Sequence, residues 1–134
     1  MNKNKQAGMS LYALLIILLV AGFFMLLGFK LVPAYAENMY IRSALKSLAE
    51  EHSTELAQMN KGKIRTELSR FYMLNNVRSD GAKALEIDRQ KERTLIIVAY
   101  EVRVPIIGNV DAVMSFNNVL DSSKPEECCS VDEE

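Results

Sequence analysis

The chain of 134 residues contains no tryptophan, only one histidine and only two cysteines. His52 makes no catalytic triad, because Ser53 is merely its neighbour and no strained nucleophile turn surrounds any serine. Cys128 and Cys129 are adjacent, and two thiols do not complete a zinc site, which needs three or four ligands. We therefore expect no catalytic residues, no cofactor and no metal site, and we expect that the protein is not an enzyme.

Glycine is also scarce, and Gly62 and Gly81 stand alone rather than in a phosphate-binding loop. Basic residues do not dominate either. The 16 Lys and Arg residues include Lys3 and Lys5 near the N-terminus, so 14 remain after Phe29 against 17 Asp and Glu. A surface that binds nucleic acid should be basic. We expect neither a nucleic-acid partner nor a small-molecule substrate.

Charge is absent from one long stretch, residues 9–29. As a helix with a rise of about 1.5 Å per residue, these 21 residues reach about 32 Å and can cross a hydrocarbon core of roughly 30 Å. The stretch is apolar all round, unlike a surface helix, and the remaining chain is too small to bury it. The sequence therefore predicts a transmembrane helix, with the lipid bilayer as a partner.

Lys3 and Lys5 precede this stretch without any acidic residue, and the basic bias predicts a cytoplasmic N-terminus. Residues 1–8 then form a cytoplasmic leader, and the C-terminal part lies in the periplasm of a bacterium, outside its inner membrane. The apolar stretch is longer than the roughly 7–15 residues of a signal-peptide core. This length favours a retained anchor over cleavage near Ala34–Tyr35–Ala36.

The leader ends in Gly8, and the apolar helix follows directly. This arrangement resembles type IV pilins and pseudopilins, in which a dedicated peptidase cuts after the glycine, here between Gly8 and Met9. Those proteins usually carry Glu at the fifth mature position, where this chain has Ala13. A minor pilin-like subunit, processed after Gly8, therefore remains an alternative.

Hydrophobic periodicity after the apolar stretch changes from a helical period to a period of two near residue 82. Pro33 lies at the junction, where the membrane helix either kinks or runs on. Gly108–Asn109 is typical of a hairpin tip, and Pro105 ends its strand or lies at an edge. The prediction is an α+β domain over residues 33–120, pilin-like in outline, with one helix face on a three-stranded antiparallel sheet. Its helices and strands are expected at about 34–59, 63–75, 85–88, 95–104 and 110–117.

From Asp121 onward the chain becomes polar and acidic. Low apolarity with dense like charge predicts a disordered acidic tail over residues 121–134. Cys128 and Cys129 lie in this tail, and a disulfide between adjacent cysteines is rare. A disordered tail has no fixed structure that a disulfide could crosslink, so we predict no structural role for either thiol.

Two segments of the chain are distinctive. The first is Gly8–Leu11 with the apolar stretch and Lys30–Tyr35, and the second is Tyr100–Asp111. Together they resemble the small bacterial family called domain of unknown function four-eight-four-five, over nearly the whole chain up to about Asp121. The resemblance implies a single-pass protein of a Gram-negative inner membrane, from a family that is often encoded near signal peptidase I and has no assigned catalytic residues.

The tip of the last hairpin is the best candidate for a partner contact. It is an expected loop tip that is both exposed and apolar. We therefore expect that the periplasmic domain binds another, unidentified envelope protein through this tip. Its residues are Pro105, Ile106, Ile107, Gly108 and Asn109.

Overall fold

The computed structural model describes residues 8–129, within which two α-helices precede a three-stranded antiparallel sheet. This arrangement confirms the predicted α+β fold. Most of the predicted leader (residues 1–7) and the last part of the predicted tail (residues 130–134) lie outside the described residues. The elements are α1 (Leu11–Glu51), α2 (Lys61–Leu74), β1 (Leu85–Arg89), β2 (Thr94–Ile107) and β3 (Val110–Asp121), with short 3-10 turns at Asp80–Ala82 and Pro125–Glu127.

α1 is one uninterrupted helix of 41 residues and is therefore about 60 Å long. Pro33 lies inside it, so the helix runs on through the junction although proline offers no N–H to the preceding turn. The first part of α1, residues 11–26, is exposed along its whole length. This helix is long and apolar enough to cross a membrane, and its apolar part is not a buried core helix.

The regular part of α1 ends earlier than predicted, at Glu51 instead of near Met59. His52 leaves the helical conformation with φ −124° and ψ 29°, and separate turns follow as far as Gln58. The Ser–Thr pair after His52 has low helix propensity. These turns carry Leu56 back into the core, where it is fully buried.

α2 begins two residues before its predicted start, because Asn60 initiates the helix instead of terminating the previous one. Its side-chain oxygen accepts a hydrogen bond of 2.8 Å from the Gly62 N–H, as an N-cap residue does. The apolar face of α2 lies where the periodicity predicted it. Ile64, Leu68 and Tyr72 are buried, and Phe71 is half-buried.

The strand order is β1-β2-β3, and β2 and β3 form a long hairpin. The Thr94 hydroxyl donates to the Ala57 carbonyl at 3.0 Å. β2 therefore starts beside the turns that follow the C-terminal end of α1. From there β2 runs back along α1 towards its apolar part, and the Ile106 carbonyl lies beside Lys30. The hairpin tip and the apolar part of α1 therefore lie at the same end of the domain.

Pro105 does not end β2, because the strand continues to Ile107. The Pro105 carbonyl accepts a hydrogen bond from Lys30 instead of from β3, and the nitrogen of a strand residue faces the same side as its carbonyl. Pro105 therefore lies at an edge, the second of its two predicted alternatives. No strand within residues 8–129 pairs with this edge of β2 beyond Val98. The register between Pro105 and Ile107 shifts by one residue, which is a β-bulge.

The core is a layer of side chains between α1, α2 and the inner face of the sheet. Alternate residues of β2 and β3 point into it, as the period of two predicted. Its fully buried large side chains are Ile41, Leu45, Leu56, Ile64, Leu68, Ile96, Leu120 and Val98.

Residues 121–129 were predicted to be part of a disordered tail, but they pack against the domain. The Thr94 N–H donates to the Ser122 hydroxyl at 2.8 Å, and the Ser122 N–H donates to the Thr94 carbonyl at 3.0 Å. These bonds extend the pairing of β2 with the chain beyond β3. Ser122 is accordingly buried.

Cys128 and Cys129 form a disulfide with each other, contrary to the expectation that these thiols have no structural role. Cys129 is buried in the core cluster, and its Sγ lies 3.6 Å from the Arg42 carbonyl oxygen of α1. The burial of Cys129 attaches the segment around it to the helix.

Candidate functional site

The predicted partner contact lies beside Lys30, the first charged residue after the apolar stretch. The Lys30 Nζ donates to the Pro105 carbonyl at 2.6 Å and to the Ile106 carbonyl at 3.1 Å. Pro105 and Ile106 follow Lys30 by 75 and 76 residues in the chain. The structure thus brings the hairpin tip to the point where the uncharged part of α1 ends, which sequence reasoning missed.

The turn at the tip is tight, and its backbone is held from two sides. Gly108 and Asn109 connect β2 to β3 as predicted, and Gly108 has φ +58°, in the left-handed region that glycine adopts without strain. The strand pairing fixes one side of the tip, and Lys30 fixes the free edge of β2. Just above the turn, Arg103 and Asp111 on opposite strands form an ion pair of 3.6 Å.

The side chains at the tip are apolar and largely exposed. Ile107 and Val110, which pair directly across the strands, are each 60 % exposed, and Val113 is 49 % exposed. Ile106 is half-buried, whereas Pro105, Gly108 and Asn109 are exposed. All five predicted contact residues therefore lie in one continuous segment beside α1.

A buried polar cluster holds the hairpin on α1 above the tip. The Asn118 Nδ2 donates to the Asn38 Oδ1 at 2.8 Å, and the Tyr100 hydroxyl donates to the same oxygen at 3.3 Å. Burial, with a smaller contribution from the Glu37 carboxylate, raises the pKa of Tyr100 to about 12. Tyr100 is therefore a neutral donor at physiological pH, and the cluster positions the hairpin on the helix.

Two other features of the domain bring charged side chains together. Glu51, His52 and Glu67 place one ligand atom each within 4.8 Å of the others, but Glu51 is exposed and the other two are only partly buried. An open cleft of about 680 Å³ lies between α1 and residues 125–129. Its lining includes charged side chains of both signs, such as Lys46 and Glu126. Neither feature presents a buried polar group without a partner, so we assign neither a ligand.

Gly8 and Met9, the predicted cleavage position, lie just before α1. Both residues are exposed and outside the helix, which begins after Ser10. The peptide bond between Gly8 and Met9 is therefore accessible in this structure. Processing after Gly8 stays a prediction.

A protein-family model matches this chain. Its description is "Domain of unknown function (DUF4845)", and the match covers residues 30–116, more than half of the chain. The matched segment begins at Lys30 and includes the hairpin tip to which Lys30 donates. No curated protein and no solved structure matches the chain.

Proposed function

The chain belongs to the DUF4845 family, and we propose that it is a single-pass protein of a bacterial inner membrane whose periplasmic domain binds another envelope protein. The apolar, exposed part of α1 supports the anchor. Lys3 and Lys5 before it support a cytoplasmic N-terminus. The proposal assigns the chain a binding role and no reaction, cofactor or nucleic acid.

One observation carries the proposal, namely the contact of Lys30 with the hairpin tip. Leu31 and Ala34 already pack against the core of the domain, so the domain begins within one helical turn of the uncharged stretch. α1 is continuous across this boundary, and no flexible linker separates the anchor from the domain. A partner that meets the tip must therefore be present at the membrane surface, which favours another membrane protein.

The open side of the hairpin is the outer edge of β3. The Lys30 amine occupies the opposite side, at the edge of β2 beside Pro105 and Ile106, and α1 lies on the inner face of the sheet. β3 is last in the strand order, and a strand edge offers backbone groups to a partner. Val110 and Val113 add exposed apolar side chains near the tip. We place the partner contact along this edge and the adjoining tip.

Site-specific crosslinking in intact membranes tests this placement. A photoreactive amino acid replaces Val113 in the full-length chain, and the control replaces Lys91, which is exposed in the turn between β1 and β2. We expect a protein adduct from position 113 and none from position 91. Adding Ile107→Asp should reduce the adduct, since the adjoining tip is part of the contact. No adduct at 113, or equal adducts at both positions, would contradict the proposal.

A minor pilin-like subunit is the second candidate, because Gly8 ends a short basic leader directly before the apolar helix. A long N-terminal helix followed by an antiparallel sheet is compatible with such a subunit. Intact mass spectrometry decides between the two. Loss of residues 1–8 that a Gly8 substitution abolishes would support processing, and a full-length mature chain would contradict it.

A further inference from the structure

Beyond the uncharged stretch, the side of α1 that points away from the domain is still apolar. Val32, Met39 and Tyr40 are 63, 69 and 45 % exposed. With 3.6 residues per turn they fall on one side of the helix, opposite to the buried Ile41 and Leu45. We call this side the outer face of α1.

The outer face carries no charge before Arg42. The two charged residues of α1 that precede Arg42 both point towards the sheet. Lys30 donates to the hairpin tip, and the Glu37 carboxylate lies close enough to Tyr100 to raise its pKa. From the start of α1 to Tyr40 the uncharged outer face spans 30 residues, or about 45 Å. It is therefore about 15 Å longer than a hydrocarbon core of roughly 30 Å.

The hairpin limits how deeply the opposite side of α1 can enter the membrane. The turn at Gly108 follows Ile106 by two residues, so at about 3.3 Å per strand residue it lies up to about 7 Å nearer the N-terminus of α1 than the carbonyls that Lys30 binds. Its peptide groups need hydrogen-bonding partners, which hydrocarbon lacks. On this side the hydrocarbon must end at the turn or below it. An upright α1 would then hold Met39 and Tyr40 about 20 Å above the hydrocarbon, in water.

A tilt of α1 towards its outer face satisfies both sides. The turn lies about 15 Å across from the outer face, given a helix radius of about 5 Å and about 10 Å between packed layers. At a tilt of about 40°, within the range of transmembrane helices, the hydrocarbon boundary on the outer face lies about 13 Å further along α1 than at the turn. This point is about 6 Å, or about four residues, beyond Lys30. Met39 and Tyr40 then lie about 6–7 Å above the hydrocarbon, within a headgroup layer roughly 5–8 Å deep.

From these observations we infer that α1 crosses the bilayer tilted towards its outer face, so that Met39 and Tyr40 rest in the headgroup layer on the side of the domain. The outer face continues the membrane-spanning surface of α1 without a charge, and this continuity identifies lipid as its occupant. A tyrosine ring suits the headgroup level, because it is apolar with one polar end. The inference rests on the anchor in the proposed function. It leaves the hairpin tip and the edge of β3 to the protein partner.

Tryptophan fluorescence tests the inference directly, because the chain contains no tryptophan of its own. The full-length chain carries Met39→Trp and is reconstituted in phosphatidylcholine vesicles in which part of the lipid bears a headgroup nitroxide. Asn117→Trp is the matched control. Asn117 is exposed and its neighbour Asn118 is bonded to Asn38, so it lies level with Met39 on the other side of the domain. Phe24→Trp, with lipid brominated in the acyl chain, is the control for the anchor. We expect at least twofold nitroxide quenching at 39 and none at 117, with bromine quenching at 24.

The three positions separate failure of the inference from failure of the proposed function. Bromine quenching at 24 but no more nitroxide quenching at 39 than at 117 would overturn the inference alone. No quenching at 24 would overturn the membrane anchor and the inference with it. Tyr40→Trp repeats the measurement at the adjacent position, and it should be quenched like Met39→Trp.

Two further outcomes identify a different occupant of the outer face. A tryptophan at 39 that is shielded both from the nitroxide and from iodide in the water would show that a second copy of the chain covers this face. A photoreactive residue in place of Met39 that forms a protein adduct in native membranes would show that another protein covers it. Either result would overturn the inference.

Discussion

Gly81 lies where two buried side chains leave no room for a methyl group. A Cβ at this position would lie 2.5 Å from the Ile41 Cδ1 and 2.7 Å from two atoms of the Tyr100 ring. Carbon atoms in ordinary contact are about 3.5–4.0 Å apart, so the overlap is about 1 Å with each neighbour. Ile41 is fully buried, and the Tyr100 hydroxyl is bonded to Asn38. We predict that Gly81→Ala lowers the free energy of unfolding by about 1–3 kcal/mol.

Gly62→Ala is the matched control for this substitution. Gly62 is exposed in the first turn of α2, and a Cβ there would meet only the Asn60 Oδ1, at 3.4 Å. Alanine has a higher helix propensity than glycine, so this variant should gain up to about 0.5 kcal/mol. Urea unfolding of the detergent-solubilised full chain, followed by the near-ultraviolet circular dichroism of buried tyrosines, measures both variants.

A double variant tests the cause of the loss. Ile41→Val removes the Cδ1 atom and should by itself cost about 0.5–1.5 kcal/mol. Combined with Gly81→Ala, it should cost less than the sum of the two single losses, because one of the overlaps no longer exists. A Gly81→Ala variant as stable as the parent chain, or a double variant with fully additive losses, would refute the close approach of α1, Gly81 and β2.

Three further predictions concern titratable side chains. The buried Tyr72 hydroxyl has no hydrogen-bond partner among the described residues, so Tyr72→Phe should leave the free energy of unfolding unchanged or raise it by up to about 1 kcal/mol; a clear loss in urea unfolding would contradict this. Burial raises the pKa of Tyr72 and of Tyr100 from 10.0 to about 12. The free energy of unfolding should therefore be constant below pH 10 and fall as the pH rises towards 12. Urea unfolding at several pH values checks this, and a Tyr72→Phe/Tyr100→Phe variant should not show the decrease. Burial alone would raise the pKa of Asp121, but hydrogen bonds from Ser123 and the charge of Arg93 lower it below 3.8. The contribution of Asp121 to stability should therefore hold above that pH and disappear as the pH falls further. Asp121→Asn should cost up to about 1 kcal/mol at neutral pH and weaken the dependence of unfolding on acidic pH.

The sheet was predictable from local pattern. In β2 and β3, apolar and polar residues alternate with a period of two, and the alternation agrees with the observed burial. Gly108–Asn109 fitted a two-residue turn, which pairs Ile107 with Val110, but the β-bulge between Pro105 and Ile107 shifts the register of the rest of the hairpin by one residue and was not predicted. The helix boundaries were less predictable. Asn60 suits either end of a helix by composition, and only the hydrogen bond to Gly62 shows that it starts one.

The contact of Lys30 with the tip was not visible in any local pattern, because the two carbonyls belong to residues 75 and 76 positions after Lys30. The lengths of the two elements carry a signal for it. At about 3.3 Å per residue, the strand from Thr94 to Ile106 reaches about 40 Å. The part of α1 from Lys30 to Glu51 reaches about 32 Å at 1.5 Å per residue. A strand that starts beyond the end of α1 and runs back along it therefore ends near Lys30.

The fold of residues 121–129 was missed for a different reason. Composition describes the average behaviour of a segment, and this one is polar and acidic. Its attachment depends on a few specific contacts: the bonds between Ser122 and Thr94, and the burial of Cys129 on α1. Such contacts involve residues that lie far apart in the chain. No count of charges within the segment could have indicated them.

Lys30 has two roles in the proposed arrangement, and they explain why a cation stands at the end of the uncharged stretch. The edge of β2 at Pro105 and Ile106 has no strand neighbour within the described residues. Unpaired carbonyls close to the hydrocarbon are costly, because the lipid interior offers them no donor. Lys30 supplies donors to both carbonyls, and its own charge stays at the headgroup boundary, where lysine is tolerated. In the proposed arrangement, one side chain would thus satisfy two carbonyls at a strand edge and set the height of the domain above the membrane.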